Sequence, residues 1–335
     1  MRQTNIIIDQ SWPEGELETL TACPYCGSAD CTLAYKEAQD WSFYSAPGKW
    51  SYWDCSGCGA LYLSPRPKEA YIGKAYASYY THDTSFGDIS QKLRTQLKNE
   101  YLSHLFGIDI RPRFNLPKCL SFLLKPFQHL INVPFGLRQL ADLPKGKLLD
   151  VGCGSGASLK AAQQLGWDVI GLEVDPVAVQ AARSIGLNII EGDYKQLSQF
   201  TDCFDCIVCS HVLEHVYSPL KMIGLLKKAL RPGGVLLLSL PNANSHVREV
   251  FGENWRGLEA PRHVAIPSLA WLQAFLSEQG FFEYQVAHKG DWTTGASREI
   301  MESRGFENLG HPKYASETIS PARSDFIQFV CIKRF

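Results

Sequence analysis

The stretch Leu148-Leu-Asp-Val-Gly-Cys-Gly-Ser-Gly156 decides the fold of this chain. A short apolar strand runs here into glycines at alternate positions, Gly152, Gly154 and Gly156, and a helix is predicted to begin at Ala157. Glycine lets a backbone turn tightly, and it lets a ligand approach main-chain N–H groups that a Cβ would block. The stretch therefore predicts a strand, a ligand-binding turn and a helix.

The succession of strand, turn and helix continues toward the C-terminus, which predicts an α/β domain built on a parallel sheet. Strands are predicted at Leu148–Val151, Val169–Glu173, Asn188–Glu191, Phe204–Ser210, Val235–Leu240, Phe282–Ala287 and Phe326–Ile332. Helices are predicted at Ala157–Leu165, Pro176–Ile185, Pro219–Leu230 and Leu269–Gln279. The segment Pro232-Gly233-Gly234 is expected to stop a helix and to form a turn.

The chain divides by composition into consecutive segments. Residues 20–65 are rich in Cys, Gly, Trp and Tyr, residues 66–140 are helix-leaning and interrupted by prolines, and residues 141–335 carry the α/β pattern. We expect a small ribbon, a helical linker or lid, and a large α/β domain. The apolar linker stretches Leu120–Leu124 and Phe127–Val133 favour a lid over a dimer surface or a helix that touches a membrane.

Bulk composition argues against several classes of protein. The chain of 335 residues is 45% hydrophobic and 20% charged, which is typical of a soluble globular protein. A net charge of -1 argues against a nucleic-acid binder that neutralises phosphates. Met1–Trp12 does not resemble a signal peptide, and no apolar stretch reaches the roughly 18 residues that span a bilayer. We therefore expect a cytoplasmic protein whose cysteines are thiols or metal ligands rather than disulfides.

Acidic residues follow the ends of the first three predicted strands. Glu173 can accept hydrogen bonds from both hydroxyls of a ribose, and Asp193 can accept one from an adenine amino group. Asp150 can orient the loop amides or meet the ammonium of a methionine moiety. The loop alone also satisfies the fingerprint of dinucleotide-binding proteins, so it does not separate S-adenosylmethionine from NAD. The acids together favour S-adenosylmethionine.

The order of these motifs resembles that of class I S-adenosylmethionine-dependent methyltransferases. The resemblance covers residues 145 to 290 and rests on Leu148–Gly156, Gly171-Leu-Glu173, Glu191-Gly-Asp193, Phe204-Asp-Cys-Ile-Val-Cys-Ser-His-Val-Leu-Glu-His215 and Leu230-Arg-Pro-Gly-Gly234. It implies a Rossmann-like, seven-stranded sheet with one antiparallel strand, for which Phe326–Ile332 is the candidate. It also implies that His211 lies against the cofactor.

Two C-x-x-C-G sequences, at Cys23/Cys26 and Cys55/Cys58, lie 28 residues apart. In a reducing compartment this spacing predicts a tetrahedral zinc site, and four thiolates make it a closed, structural site. A zinc ribbon before a methyltransferase domain resembles bacterial methyltransferases whose relatives act on sugars, surface polysaccharides and secondary metabolites. That resemblance implies a small-molecule or glycan acceptor that is methylated on oxygen or carbon.

Candidate catalytic residues follow the fourth and fifth strands, because ligands of open parallel sheets bind beyond the carboxyl ends of the strands. His211 follows the fourth strand and His263 lies in a long loop after the fifth. We expect His263 to be the general base, with His211 as a second candidate and His215 as a packing residue. Arg262 or Arg256 could hold an anionic part of the substrate.

Other functions stay open at this stage. Some ribosomal RNA methyltransferases also join a zinc finger to this fold, but the neutral charge of the chain does not favour RNA. A non-catalytic module that senses the cofactor while the ribbon binds a protein partner is a further alternative, and NAD-dependent redox chemistry comes last. The sequence does not indicate an oligomeric state.

Overall fold

The computed structural model describes residues 8, 10–76, 89–109, 111–117, 119, 136–289, 293–305 and 323–334. The two apolar linker stretches, Leu120–Leu124 and Phe127–Val133, lie outside this part of the chain. Within the described residues, no helix is both long and apolar enough to cross a membrane.

The described residues form thirteen strands, eight α-helices and several short 3₁₀ helices. The strands are β1 Leu17–Glu18, β2 Cys31–Ala38, β3 Trp50–Cys55, β4 Leu61–Leu63, β5 Arg66–Pro67, β6 Lys147–Val151, β7 Asp168–Glu173, β8 Ile189–Glu191, β9 Phe204–Ser210, β10 Leu230–Pro241, β11 Ala265–Ile266, β12 Phe281–Lys289 and β13 Phe326–Lys333. The helices are α1 Ile89–Phe106, α2 Leu137–Asp142, α3 Ala157–Gln164, α4 Pro176–Ser184, α5 Pro219–Ala229, α6 His246–Phe251, α7 Leu269–Glu278 and α8 Thr294–Ser303. Short 3₁₀ helices cover Glu14–Glu16, Ile72–Tyr76, Tyr194–Gln199, Leu213–His215, Gly252–Asn254 and Arg256–Leu258.

A seven-stranded sheet has the order β12-β13-β10-β9-β6-β7-β8. β6 pairs in parallel with β7 and with β9, and β7 pairs in parallel with β8. β12 and β13 pair antiparallel. The predicted Rossmann-like sheet of seven strands is therefore confirmed, and the predicted candidate β13 belongs to its antiparallel pair.

The start of β10 differs from the prediction. The strand begins at Leu230, directly after α5 ends, so the segment Pro232-Gly233-Gly234 belongs to it and is not a separate turn before it. Gly233 takes a positive φ of 75°, which glycine adopts without a Cβ clash. A Cβ on Gly234 would lie 2.9 Å from the carbonyl oxygen of Arg231 and 3.1 Å from that of Phe204. The glycines thus turn the chain within the strand.

Contacts between residues divide the chain into two compact units, each built from segments that are separate in sequence. One unit contains Met1–Tyr79, Ser210–Lys227 and Leu238–Phe335, and the other contains Tyr80–Cys209 and Lys228–Leu237. The first unit therefore combines the Cys-rich segment with the later part of the α/β region, whereas the second holds the glycine loop.

A four-stranded sheet of the first unit explains this grouping. Its order is β11-β4-β3-β2, and β11 pairs antiparallel with β4 although more than half of the chain lies between them. The core beside the sheet also combines both regions, because Trp50 and Tyr52 pack with Trp255 and Leu258. The Tyr52 hydroxyl lies 2.8 Å from the Leu258 carbonyl and 3.0 Å from the His263 carbonyl. The ribbon therefore shares its core with the loop that follows β10.

Candidate cofactor and acceptor sites

The glycine loop of the second unit has the geometry of a ligand-binding turn. Gly152, Gly154 and Gly156 have backbone φ values of 71°, 54° and 83°. Residues other than glycine rarely adopt φ values in this region. A Cβ on Gly154 would meet no atom within 4 Å, so this part of the loop borders open space. A Cβ on Gly156 would lie 2.3 Å from Leu187 Cδ1. Gly154 thus leaves room for a ligand, whereas Gly156 permits close packing behind the loop.

Glu173 links the end of β7 to the glycine loop. Its Oε2 accepts a hydrogen bond of 2.8 Å from the amide of Gly154. Its Oε1 accepts bonds of 2.8 and 2.9 Å from the amides of Val174 and Asp175. An ionised carboxylate offers about four lone-pair sites, so further donors such as ribose hydroxyls can still bind to it.

Asp150 and Asp193 lie at the ends of the strands on the two sides of β7. Asp150 belongs to β6 and is buried. Burial, followed by the charge of Glu173, raises the pKa of Asp150 to about 7. Asp193 follows β8, and its carboxylate accepts a 2.8 Å bond from the Lys195 amide and pairs with the Lys195 ammonium at 3.2 Å. All the predicted cofactor residues except His211 therefore lie at or just after the carboxyl ends of three neighbouring strands of one unit.

His211 belongs to the first unit, where it forms a pair with Glu214. The two side chains meet at 3.2 Å between Nδ1 of His211 and Oε1 of Glu214. The side chain of His211 is 49% exposed and that of Glu214 is 0% exposed. His211 also has a positive φ of 57°, and strained backbone of this kind concentrates at functional sites.

Glu214 is a buried charge surrounded by histidines. Burial on its own would raise its pKa, but His211, His215 and His263 together lower the pKa below its usual value. Its Oε2 atom has no hydrogen-bond partner among the described residues. The side chain is thus held ionised, with one oxygen on His211 and the other uncommitted.

His263, the predicted general base, is a buried member of this cluster. Its Nδ1 lies 2.7 Å from the carbonyl oxygen of Gly257, and its ring centre lies 4.6 Å from that of His215. Burial lowers the pKa of His263 to about 4, so its imidazole is neutral near pH 7. His215 contacts the Arg262 carbonyl oxygen and the Tyr76 hydroxyl through Nδ1, both at 3.0 Å.

Arg262 does not face a substrate, so this part of the sequence prediction is wrong. Its side chain is 0% exposed, and its guanidinium donates to Asp40, Ser45, Glu259 and the carbonyl of Ala75. All three nitrogen atoms of the guanidinium therefore donate hydrogen bonds within the protein. Arg256 is partly exposed and pairs with Glu259.

Glu214 and Tyr76 have no predicted role, although both contact the histidines. The position of Glu214 three residues after His211 was a usable signal, because that spacing lets two side chains meet within one helical turn. Tyr76 offered no such signal, since its contact with His215 spans 139 positions of sequence.

The thiols of Cys23, Cys26, Cys55 and Cys58 form the predicted cluster. All four sulfur atoms lie within 4.8 Å of one another. The Cys23–Cys58 and Cys26–Cys55 sulfurs are separated by 3.6 and 3.4 Å. A hydrogen bond from the Cys58 thiol, opposed by burial and assisted by the amides of Cys26 and Tyr25, lowers the pKa of Cys23 to about 5.

The backbone around these thiols repeats the same turn twice. Gly27 N–H donates to the Cys23 carbonyl at 2.9 Å, and Gly59 N–H donates to the Cys55 carbonyl at 2.8 Å. Both glycines have positive φ values, of 74° and 69°. Four converging thiols on two glycine-closed turns fit a tetrahedral zinc ion.

Part of this chain is similar to known protein families and to individual proteins. Residues 128–285 match the family model described as a methyltransferase domain. A ubiquinone biosynthesis O-methyltransferase of Xanthomonas oryzae pv. oryzae is 36% identical over 108 residues, which are 30% of this chain and 45% of that protein. Another, of Cereibacter sphaeroides, is 32% identical over 120 residues, 32% of this chain and 47% of that protein. The chain thus spans about half the length of these curated relatives.

Solved structures are similar as well. An S-adenosylmethionine-dependent methyltransferase from Mesorhizobium loti is 19% identical, with a TM-score of 0.41 over 59% of this chain and 95% of that one. One from Archaeoglobus fulgidus is 15% identical, with a TM-score of 0.42 over 63% of this chain and 99% of that one. The sheet order and the glycine loop agree with this match of residues 128–285 to a methyltransferase domain, which is just under half of the chain.

Proposed function

We propose that this chain transfers the methyl group of S-adenosylmethionine to a hydroxyl of a small-molecule or glycan acceptor. The observation that carries the proposal is the pair formed by the half-exposed His211 and the buried, ionised Glu214. A hydroxyl loses its proton when its oxygen attacks the methyl carbon, so a positioned base accelerates the transfer. A carboxylate on Nδ1 of a histidine fixes the tautomer that leaves Nε2 free to take that proton.

The cofactor supplies a methyl carbon that a positively charged sulfur activates, so the protein contributes mainly alignment. In this proposal Glu173 accepts the ribose hydroxyls, Asp193 accepts the adenine amino group and Asp150 meets the ammonium. Gly154 supplies the open space beside the loop amides. His211 is preferred to His263 as the base because His263 is buried.

Oxygen as the attacking atom is also supported by the curated relatives, which are named as O-methyltransferases of ubiquinone biosynthesis. Phenolic hydroxyls are therefore the first acceptors to assay. Hydroxyls of sugar nucleotides are the second, because the zinc ribbon of the sequence resembles that of methyltransferases acting on sugars and surface polysaccharides. A carbon acid next to a carbonyl would use the same base.

We propose further that the four-cysteine cluster binds one structural Zn²⁺. Thiolates suit Zn²⁺, and four of them leave no position open for a substrate. The ion would tie the turn at Cys23–Cys26 to the one at Cys55–Cys58 and so fix the ends of β2 and β3. Its contribution is to folding, since the apolar core beside these turns is small.

The cofactor assignment predicts a selective effect of Glu173→Ala. Calorimetric affinity for S-adenosylmethionine should fall by about 10-fold or more, because both ribose hydroxyls lose their acceptor and even one lost hydrogen bond to a charged group costs about 1.5–3 kcal/mol. Asp175→Ala is the matched control, because Asp175 lies two residues away and caps α4 through the Val177 amide at 2.9 Å. That variant should bind normally. Equal affinity in the wild type and in Glu173→Ala would contradict the assignment.

The pKa of Asp150 predicts that cofactor affinity depends on pH. The free protein holds the Asp150 proton up to about pH 7, whereas a bound ammonium favours the ionised form. Binding must then release a proton below pH 7, so affinity should rise with pH by at most about tenfold per pH unit. The measurement is calorimetry with S-adenosylhomocysteine from about pH 5.5 to 7, where an α-amino group stays charged. Asp150→Asn should flatten the dependence, and an unchanged slope in that variant would refute this role of Asp150.

The proposed base predicts a loss of turnover without a loss of cofactor binding. His211→Gln should lower kcat by about 100-fold or more with a phenolic or sugar hydroxyl acceptor, since general-base catalysis contributes that much. S-adenosylhomocysteine release measures turnover, and calorimetry measures binding. His246→Gln, a histidine outside the cluster, should retain turnover. Full activity of His211→Gln would exclude His211 as the base.

The zinc assignment predicts the metal content of two serine variants. Cys58→Ser should lose one equivalent of zinc by elemental analysis, and its residues 20–65 should become sensitive to protease. Cys31→Ser should keep the metal and the resistance, because Cys31 lies outside the cluster. Full zinc content in Cys58→Ser would exclude the four-thiolate site.

A further inference from the structure

We infer that Glu214, His215 and His263 form a second metal site, which takes a divalent first-row transition metal. One carboxylate oxygen of Glu214 and one ring nitrogen of each histidine all lie within 4.8 Å of one another. Glu214 and His263 are buried, and His215 is partly buried. This group shares no residue with the cysteine cluster.

The hydrogen bonds of the two histidines leave a lone pair on each ring. Nδ1 of His263 lies 2.7 Å from the Gly257 carbonyl oxygen, and Nδ1 of His215 lies 3.0 Å from the Arg262 carbonyl oxygen. A carbonyl oxygen only accepts, so both Nδ1 atoms carry the hydrogen and both Nε2 atoms carry the lone pair. Metal-binding histidines are oriented in this way, with the second ring nitrogen donating to a carbonyl or carboxylate.

The free oxygen of Glu214 supplies the third ligand. Oε1 of Glu214 contacts His211, whereas Oε2 is buried and has no hydrogen-bond partner among the described residues. A buried carboxylate oxygen without a donor is costly. Two imidazole lone pairs and this oxygen are all acceptors, and a water molecule donates only two hydrogen bonds. One dication satisfies the three acceptors together.

The ligand set identifies the class of metal. Two imidazoles and one carboxylate suit Zn²⁺, Fe²⁺, Co²⁺ or Ni²⁺, whereas Mg²⁺ and Ca²⁺ prefer oxygen ligands. Three protein ligands leave at least one coordination position open, unlike the closed set of four cysteines. Water would fill that position. Glu259, whose Oε2 lies 3.8 Å from His263 Nε2, adds negative charge beside the site.

A Co²⁺ titration of the 335-residue chain tests the inference. Zinc is left in the cysteine cluster, loosely bound metal is removed by dialysis, and Co²⁺ is added alone. The wild type should bind one equivalent without the intense absorption of cobalt thiolates. X-ray absorption of this sample should show two imidazoles for each cobalt. No bound cobalt, or cobalt without two imidazoles, would overturn the inference, and neither measurement requires a variant.

Variants give a second, independent comparison. Glu214→Gln keeps the size of the side chain but removes its charge, and His263→Gln removes a ring nitrogen. Each should weaken cobalt binding by more than about 100-fold, because even residues that only orient metal ligands contribute 10- to 100-fold. His246→Gln should bind cobalt as the wild type does. Equal binding by folded Glu214→Gln and by the wild type would place the cobalt elsewhere and overturn the inference.

Discussion

The buried guanidinium of Arg262 is the constraint on which the first unit depends. It donates to Asp40 and Ser45 in the Cys-rich segment, to the carbonyl of Ala75, and to Glu259 in the loop after β10. Removing one partner of a buried ion pair costs about 3–5 kcal/mol, because the other charge is left buried and unpaired. Segments that lie more than two hundred positions apart are thereby held in one arrangement.

The same residue orients the histidine cluster. The backbone carbonyl of Arg262 fixes the ring of His215, and the next residue, His263, is held by the carbonyl of Gly257. The Tyr52 hydroxyl, on β3, contacts the carbonyl of His263. The Cys-rich segment is therefore part of the support for the histidines.

The sequence predicted those features that depend on neighbouring residues. The glycines of the loop and the strand-end acids were identified because strand, turn and helix signals are local. Gly154 follows β6 and Glu173 ends the neighbouring β7, and the two meet in the structure at 2.8 Å. The cysteine cluster was also predicted, since the spacing within each C-x-x-C-G sequence is itself local.

The sequence could not predict features that depend on distant parts of the chain. The pairing of β11 with β4, the burial of Arg262 and the contact of Tyr76 with His215 are all of this kind. From their place in a long polar loop, His263 was predicted to be the general base and Arg262 to be one of two candidates for holding the substrate. Whether such a loop is buried depends on the core that it meets. Trp255 and Leu258 supply that core contact.

A crystal structure of the protein with S-adenosylhomocysteine would locate the ligand relative to the strand-end acids. We expect both ribose hydroxyls to contact Glu173 and the adenine amino group to contact Asp193. Ligand density away from the loop at Gly152–Gly156, or a ribose without contact to Glu173, would show that the strand-end acids do not bind the cofactor in this way.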